Sequence, residues 1–169
     1  MSSTREAIAI LSAEEFESLR RPSPLAPDAT LSEHTVIRLV RPSLSSVSYS
    51  VRPLPADIVG RVVRRLKQLV DLPADWDSQG AVTPDVRTAV SAAAIIAYCM
   101  AAGAPMPDLD ATTAGAVHAE WFRDGNIVEL EVASPSDATL YYRLESGPSW
   151  EGNFWSIRSS LEQIFSRFN

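Results

Sequence analysis

Residues 117–132 read VHAEWFRDGNIVELEV, and this stretch decides the fold. Val117, Ala119 and Trp121 alternate with His118, Glu120 and Phe122; Val128, Leu130 and Val132 alternate with Ile127, Glu129 and Glu131. A period of two marks strands with one buried face. Between them, Asp124-Gly125 supplies the positive φ angles of a two-residue hairpin turn. So short a loop fixes the register. Trp121 then faces Val128 and Ala119 faces Leu130 on the inner side, while the other side pairs His118 with Glu131, Glu120 with Glu129 and Phe122 with Ile127. A third strand, Leu140 to Leu144, follows the turn at residues 134–137 and brings Tyr141 and Arg143 to that second side.

Upstream the period is helical. Ile58, Val62, Leu66 and Val70 recur every four residues, joined by Val59, Val63 and Leu69, with Arg61, Arg64, Arg65 and Lys67 on the other face. After the connector LPADWDSQGAVTP, the spacing predicts a second helix capped by Thr83, with Pro84 at its first position and Gly103 at its end. Downstream, GPSWEGN reads as a loop, with Trp150, Phe154 and Trp155 docking a last helix that carries Ile157, Leu161, Ile164, Phe165 and Phe168. The expected fold is α+β: helices on one face of a three-stranded antiparallel β-meander, in the order α-α-β-β-β-α. Residues 1–54 read as an irregular, proline-rich arm with a short helix at 13–20 and two short strands at 35–40 and 47–51. Residues 55–169 read as the α+β domain.

Composition narrows the function. The 169 residues carry 15 Lys+Arg against 21 Asp+Glu, a net charge of −6, which argues against a general nucleic-acid binder. The acid is concentrated in residues 71–169, with five Lys/Arg against fourteen Asp/Glu. The arm is arginine-containing (Arg38, Arg41, Arg52), so a nucleic-acid regulator is the weakest reading. The single cysteine, Cys99, excludes an intramolecular disulfide or a multi-cysteine zinc site. The first residues hold only a five-residue apolar run, too short for a signal peptide, and the alanine-rich 89–102 segment is too short to cross a bilayer. The expected location is the cytoplasm.

Two constellations carry possible chemistry. On the outer sheet face, His118, Glu120, Glu129 and Glu131 converge, which would suit a metal-dependent or acid–base hydrolase. An ordinary solvated sheet face is the stronger reading, because antiparallel sheets alternate apolar-in and polar-out. Glu120 opposite Glu129 is a like-charge pair that Arg143 or a basic partner would relieve. With Phe122 and Ile127 exposed beside them, these residues suit a contact surface better than a catalytic cleft. In the connector, Asp75, Trp76, Asp77 and Gly80 would either bind a cation or form a structural turn, with Trp76 a plug between the helices; the turn is favoured. GPSWEG at 147–152 misses the nucleophile-elbow spacing by one residue.

The string LPADWDSQGA at 72–81, followed by Thr83-Pro84, a helix, a proline-rich link and a strand ending Glu120-Trp121, resembles a family of small uncharacterised bacterial proteins. Its members show an L-P-x-x-W-D-x-x-G-A segment, a helix and an E-W strand in a three-stranded sheet. The resemblance covers about residues 66–145, and Ser78 and Gln79 stand where members often carry glycine. It implies a small open reading frame of unknown function next door. It implies no activity, cofactor or catalytic residue. The expected function is therefore a non-enzymatic interaction module, an accessory subunit without cofactor or metal that binds another protein with a basic surface. An antitoxin or inhibitor of a neighbouring toxin is its most concrete form.

Overall fold

The computed structural model describes residues 54–169; the short helix and two strands expected in the arm lie outside the described residues. Helix α1 spans Ala56–Val70, as its four-residue apolar period requires. Val62, Leu66, Leu69 and Val70 are buried, and Asp57, Arg61, Arg64, Arg65 and Gln68 face solvent. Its first turn uses a backbone cap: the Ile58 and Val59 N–H groups donate to the Pro55 carbonyl at 3.0 and 3.2 Å.

Helix α2 spans Val86–Ala101. It begins later than the expected Thr83 cap, because Asp85 takes that role and accepts a hydrogen bond from the Thr88 N–H at 2.6 Å. The Thr83 hydroxyl donates instead to the Leu72 carbonyl, tying the end of the connector to the end of α1. At the far end Gly103 has φ +101, its N–H donates to the Met100 carbonyl, and the Ala104 N–H donates to Cys99, both at 3.0 Å. That pair of bonds is a Schellman motif, and glycine serves it without a Cβ penalty. The helix is buried around most of its circumference, at Thr88, Ala92, Ile95, Ile96 and Cys99 among others. Its small alanines let α2 pack against both α1 and the sheet.

The sheet is an antiparallel meander in chain order. Its strands are β1 (Asp108–Ala111), β2 (Val117–Arg123), β3 (Asn126–Ser134), β4 (Asp137–Arg143) and β5 (Ser149–Asn153). The architecture is thus α+β, but with five strands where the sequence pattern predicted three. The additional strands lie at the two edges. β1 is four residues long with two aspartates, and β5 contains a glycine, compositions depleted in strands. Gly152 has a specific reason to be there: a Cβ at this position would lie 2.8 Å from the Trp150 ring. The Trp150 indole therefore folds over the bare backbone and stacks on Tyr142, with ring centroids 6.3 Å apart.

The turn between β2 and β3 has φ +49 at Asp124 and +77 at Gly125, and its register is the one the two-residue loop demands, Trp121 opposite Val128 and Glu120 opposite Glu129. The expected last helix is broken: α3 (Phe154–Ile157) and α4 (Leu161–Phe165) are separated and followed by single 3₁₀ turns. The breaks let Phe154, Leu161, Phe165 and Phe168 all turn inward. All described helices pack on the side of the sheet that carries Ala119, Trp121, Val128, Leu130 and Leu140, where the core lies. None of the outward-facing sheet residues joins that core. No described helix is long and apolar enough to cross a membrane.

The edge at β1 is closed by a side chain. Arg65 of α1 donates from Nε to the Leu109 carbonyl and from Nη2 to Asp110 Oδ1, both at 2.9 Å. A guanidinium so placed occupies a strand acceptor that another chain would otherwise use.

Candidate functional site

The register places the outer-face residues in rows that run across the strands. One row reads Asp110, His118, Glu131, Thr139, Asn153; the next reads Asp108, Glu120, Glu129, Tyr141, Glu151; the third reads Phe122, Ile127, Arg143, Ser149. The structure therefore brings together His118, Glu120, Phe122, Ile127, Glu129, Glu131 and Arg143 on one face. It adds Asp108 and Glu151 from the edge strands β1 and β5, whose sequences carry no strong strand signal. The middle row holds four carboxylates, with Tyr141 between Glu129 and Glu151. Opposed residues on neighbouring strands have Cβ atoms about 5 Å apart, so the Glu120–Glu129 repulsion is real but modest.

Arg143 is not in contact with either glutamate. It lies opposite Ile127 and Ser149, one row away, and forms no ion pair among the described residues. Phe122 at the hairpin tip is 66% exposed, an apolar ring left beside an acidic row, whereas Ile127, expected to be exposed with it, is half-buried. No three His, Cys, Asp or Glu side chains among the described residues form a metal-holding group. The side chains of a sheet face project side by side rather than converging around a point.

The connector loop is a turn built by its own acids. Asp75 and Ser78 adopt φ +58 and +61, and Gly80 adopts +93. The Asp75 carboxylate accepts from the Gly80 N–H, while Asp77 Oδ1 accepts from Gln79 at 2.8 Å and Ala81 at 3.0 Å. Both carboxylates are thus engaged in holding backbone amides. Trp76 is not the expected plug between the helices. It is half-buried at the rim, its indole N–H 3.4 Å from the Val82 carbonyl. With Arg65, Gln68, Leu69, Leu72, Asp110 and Ala111 it lines a shallow cleft of about 420 Å³. Outside the core cluster, the removed indole leaves an open rim that solvent fills, so no closed cavity adds to the transfer cost. Trp76→Ala accordingly costs about 1–2 kcal/mol, and Asp77→Ala, which strands two amides, costs about 1–3 kcal/mol. Denaturant midpoints of the two variants check this; a Trp76→Ala loss far exceeding that of Asp77→Ala would restore the plug.

Cys99 is fully buried in α2, and burial pushes its thiol well above the ordinary range, so it is no nucleophile at neutral pH. Ser149 of the near-miss elbow opens an edge strand instead of a strand-to-helix turn. No family model, no curated protein and no solved structure matches the chain.

Proposed function

We propose that this chain is a non-enzymatic, protein-binding accessory module of a bacterial cytoplasm. It docks a partner with a basic surface on the outer face of its sheet, with inhibition of a neighbouring gene's toxin as the most concrete form. The observation that carries this reading is the row Asp108, Glu120, Glu129, Glu151 lying beside the exposed Phe122. Repelling carboxylates on a face that no described helix covers raise the energy of the free state, and a cationic partner lowers it. An exposed aromatic next to a charged rim has the layout of an interface anchor.

The test uses the purified product of the adjacent open reading frame and surface plasmon resonance. Phe122→Ala should raise the dissociation rate about tenfold, the effect of losing an anchor residue. Glu120→Lys with Glu129→Lys should mainly slow association, an effect that shrinks as salt rises above about 0.15 M. Unchanged kinetics in both variants would remove this face from the interaction.

A further inference from the structure

Among the described residues, helix α1 and the open sheet face carry opposite charge. Among the described residues, four of the nine Lys/Arg lie on α1, while the sheet's open face carries the carboxylate row. On α1, Asp57, Arg61, Arg64 and Gln68 are all exposed; Arg61 stands 3.7 Å from Asp57 in a loose surface pair that an incoming carboxylate would share, and Gln68 accepts from Arg65 through Oε1, which leaves its NH2 to donate. They fall on one stripe, because steps of four, three and four residues return close to the same side of a helix. From Asp57 to Gln68 the stripe runs about 16 Å at the helical rise. The row Tyr141, Glu129, Glu120, Asp108 crosses four adjacent strands and spans about 14 Å at the strand spacing.

We infer that the outer sheet face of one copy receives the exposed stripe of α1 from a second copy, head to tail. In this register Asp57 meets the Tyr141 hydroxyl, Arg61 meets Glu129, Arg64 meets Glu120 and the Gln68 amide meets Asp108. The reverse direction is disfavoured, since it sets Asp57 against Asp108. A two-fold contact of the sheet face with itself is disfavoured too, because it would oppose carboxylate rows. Arg65 stays on its own Asp110 and is not required. The contact uses different patches on the two copies, so each added copy presents a fresh acidic face and a fresh basic stripe. This inference rests on the reading of the outer face as a protein-docking surface and names a second copy of the chain as its occupant.

Sedimentation velocity of the full chain tests it. At about 50 mM salt the weight-average mass should climb above the 18.4 kDa monomer as concentration rises, and at about 0.5 M salt it should return to the monomer. Arg61→Ala with Arg64→Ala removes the stripe, and Glu120→Gln with Glu129→Gln neutralises the row. Arg61 and Arg64 are exposed and Glu120 and Glu129 are half-buried on the open sheet face, and circular dichroism confirms that each variant is folded. Each alone should weaken association about tenfold or more. Mixed in equal amounts, they should form a dimer and stop there, since only one intact face of each kind remains. A wild-type chain monomeric at every concentration overturns the inference. A dimer that survives in both variants also overturns it. If the chain is monomeric yet the neighbouring gene's product still binds through Phe122 and Glu129, self-association alone falls; if neither binds, the docking reading falls with it.

Discussion

Trp121→Ala should lower the unfolding free energy by about 3–5 kcal/mol, the range for deleting a buried aromatic. Trp121 is 2% exposed, in the middle of the sheet's covered side. Its indole N–H donates to the Pro105 carbonyl at 2.8 Å, and its ring meets Phe165 edge-on with centroids 5.2 Å apart. One side chain therefore holds three parts of the chain: the strand, the link after α2 and the C-terminal helical run. Small domains are stable by only about 5–15 kcal/mol in total, so the variant should be largely unfolded at moderate denaturant. Trp121→Phe separates the contributions: it keeps much of the packing but leaves the Pro105 carbonyl without its donor, at about 1–3 kcal/mol. Urea unfolding followed by circular dichroism measures both. A loss below about 1 kcal/mol for the alanine variant would contradict this placement of the indole.

Phe154→Ala should cost a similar amount, about 3–5 kcal/mol. Phe154 is fully buried where β5 passes directly into α3. Its ring stands edge-on to Tyr98 of α2, at 6.1 Å, and to Trp155, at 5.1 Å. Asn153 caps the short helix through the Trp155 N–H at 3.0 Å. A four-residue helix has no stability of its own, so Phe154 is what fixes its position. The variant should also show early loss of amide protection in β5 and in residues 154–168, ahead of β2 and β3. Uniform protection across the sheet in Phe154→Ala would show that the edge strand holds without it.

The parts of this fold that were legible in the sequence are those whose signals are local and redundant. The β2–β3 hairpin combines alternation on both strands with a turn dipeptide, and α1 combines an apolar period with a charged opposite face. Both stand where the pattern put them. β1 and β5 carry no such redundancy, because their pairing is imposed by the neighbouring strands, with Gly152 chosen for the Trp150 ring above it. Trp76 lies at a rim because residue type alone does not set burial, and the loop is held by the Asp75 and Asp77 carboxylates. The same gap hid half of the acidic row. Glu120 and Glu129 follow from the hairpin register, but Asp108 and Glu151 require knowing that strands lie outside it.

Because the strand order follows the chain order, every strand pairing closes a short stretch of chain. Loop-closure entropy grows with the length enclosed, so each new strand adds onto the previous one at little entropic expense. Zippering can begin at the tight turn of Asp124 and Gly125 and spread outward to both edges. Proteins dominated by such near-neighbour contacts fold quickly for their size, unlike sandwiches whose partners are distant in sequence. The contacts that remain distant in sequence are those of Arg65 on α1 with β1 and of the terminal aromatic run with Trp121. A chain built this way spends little time with unpaired strands exposed to its neighbours, which limits misassembly while it is being made.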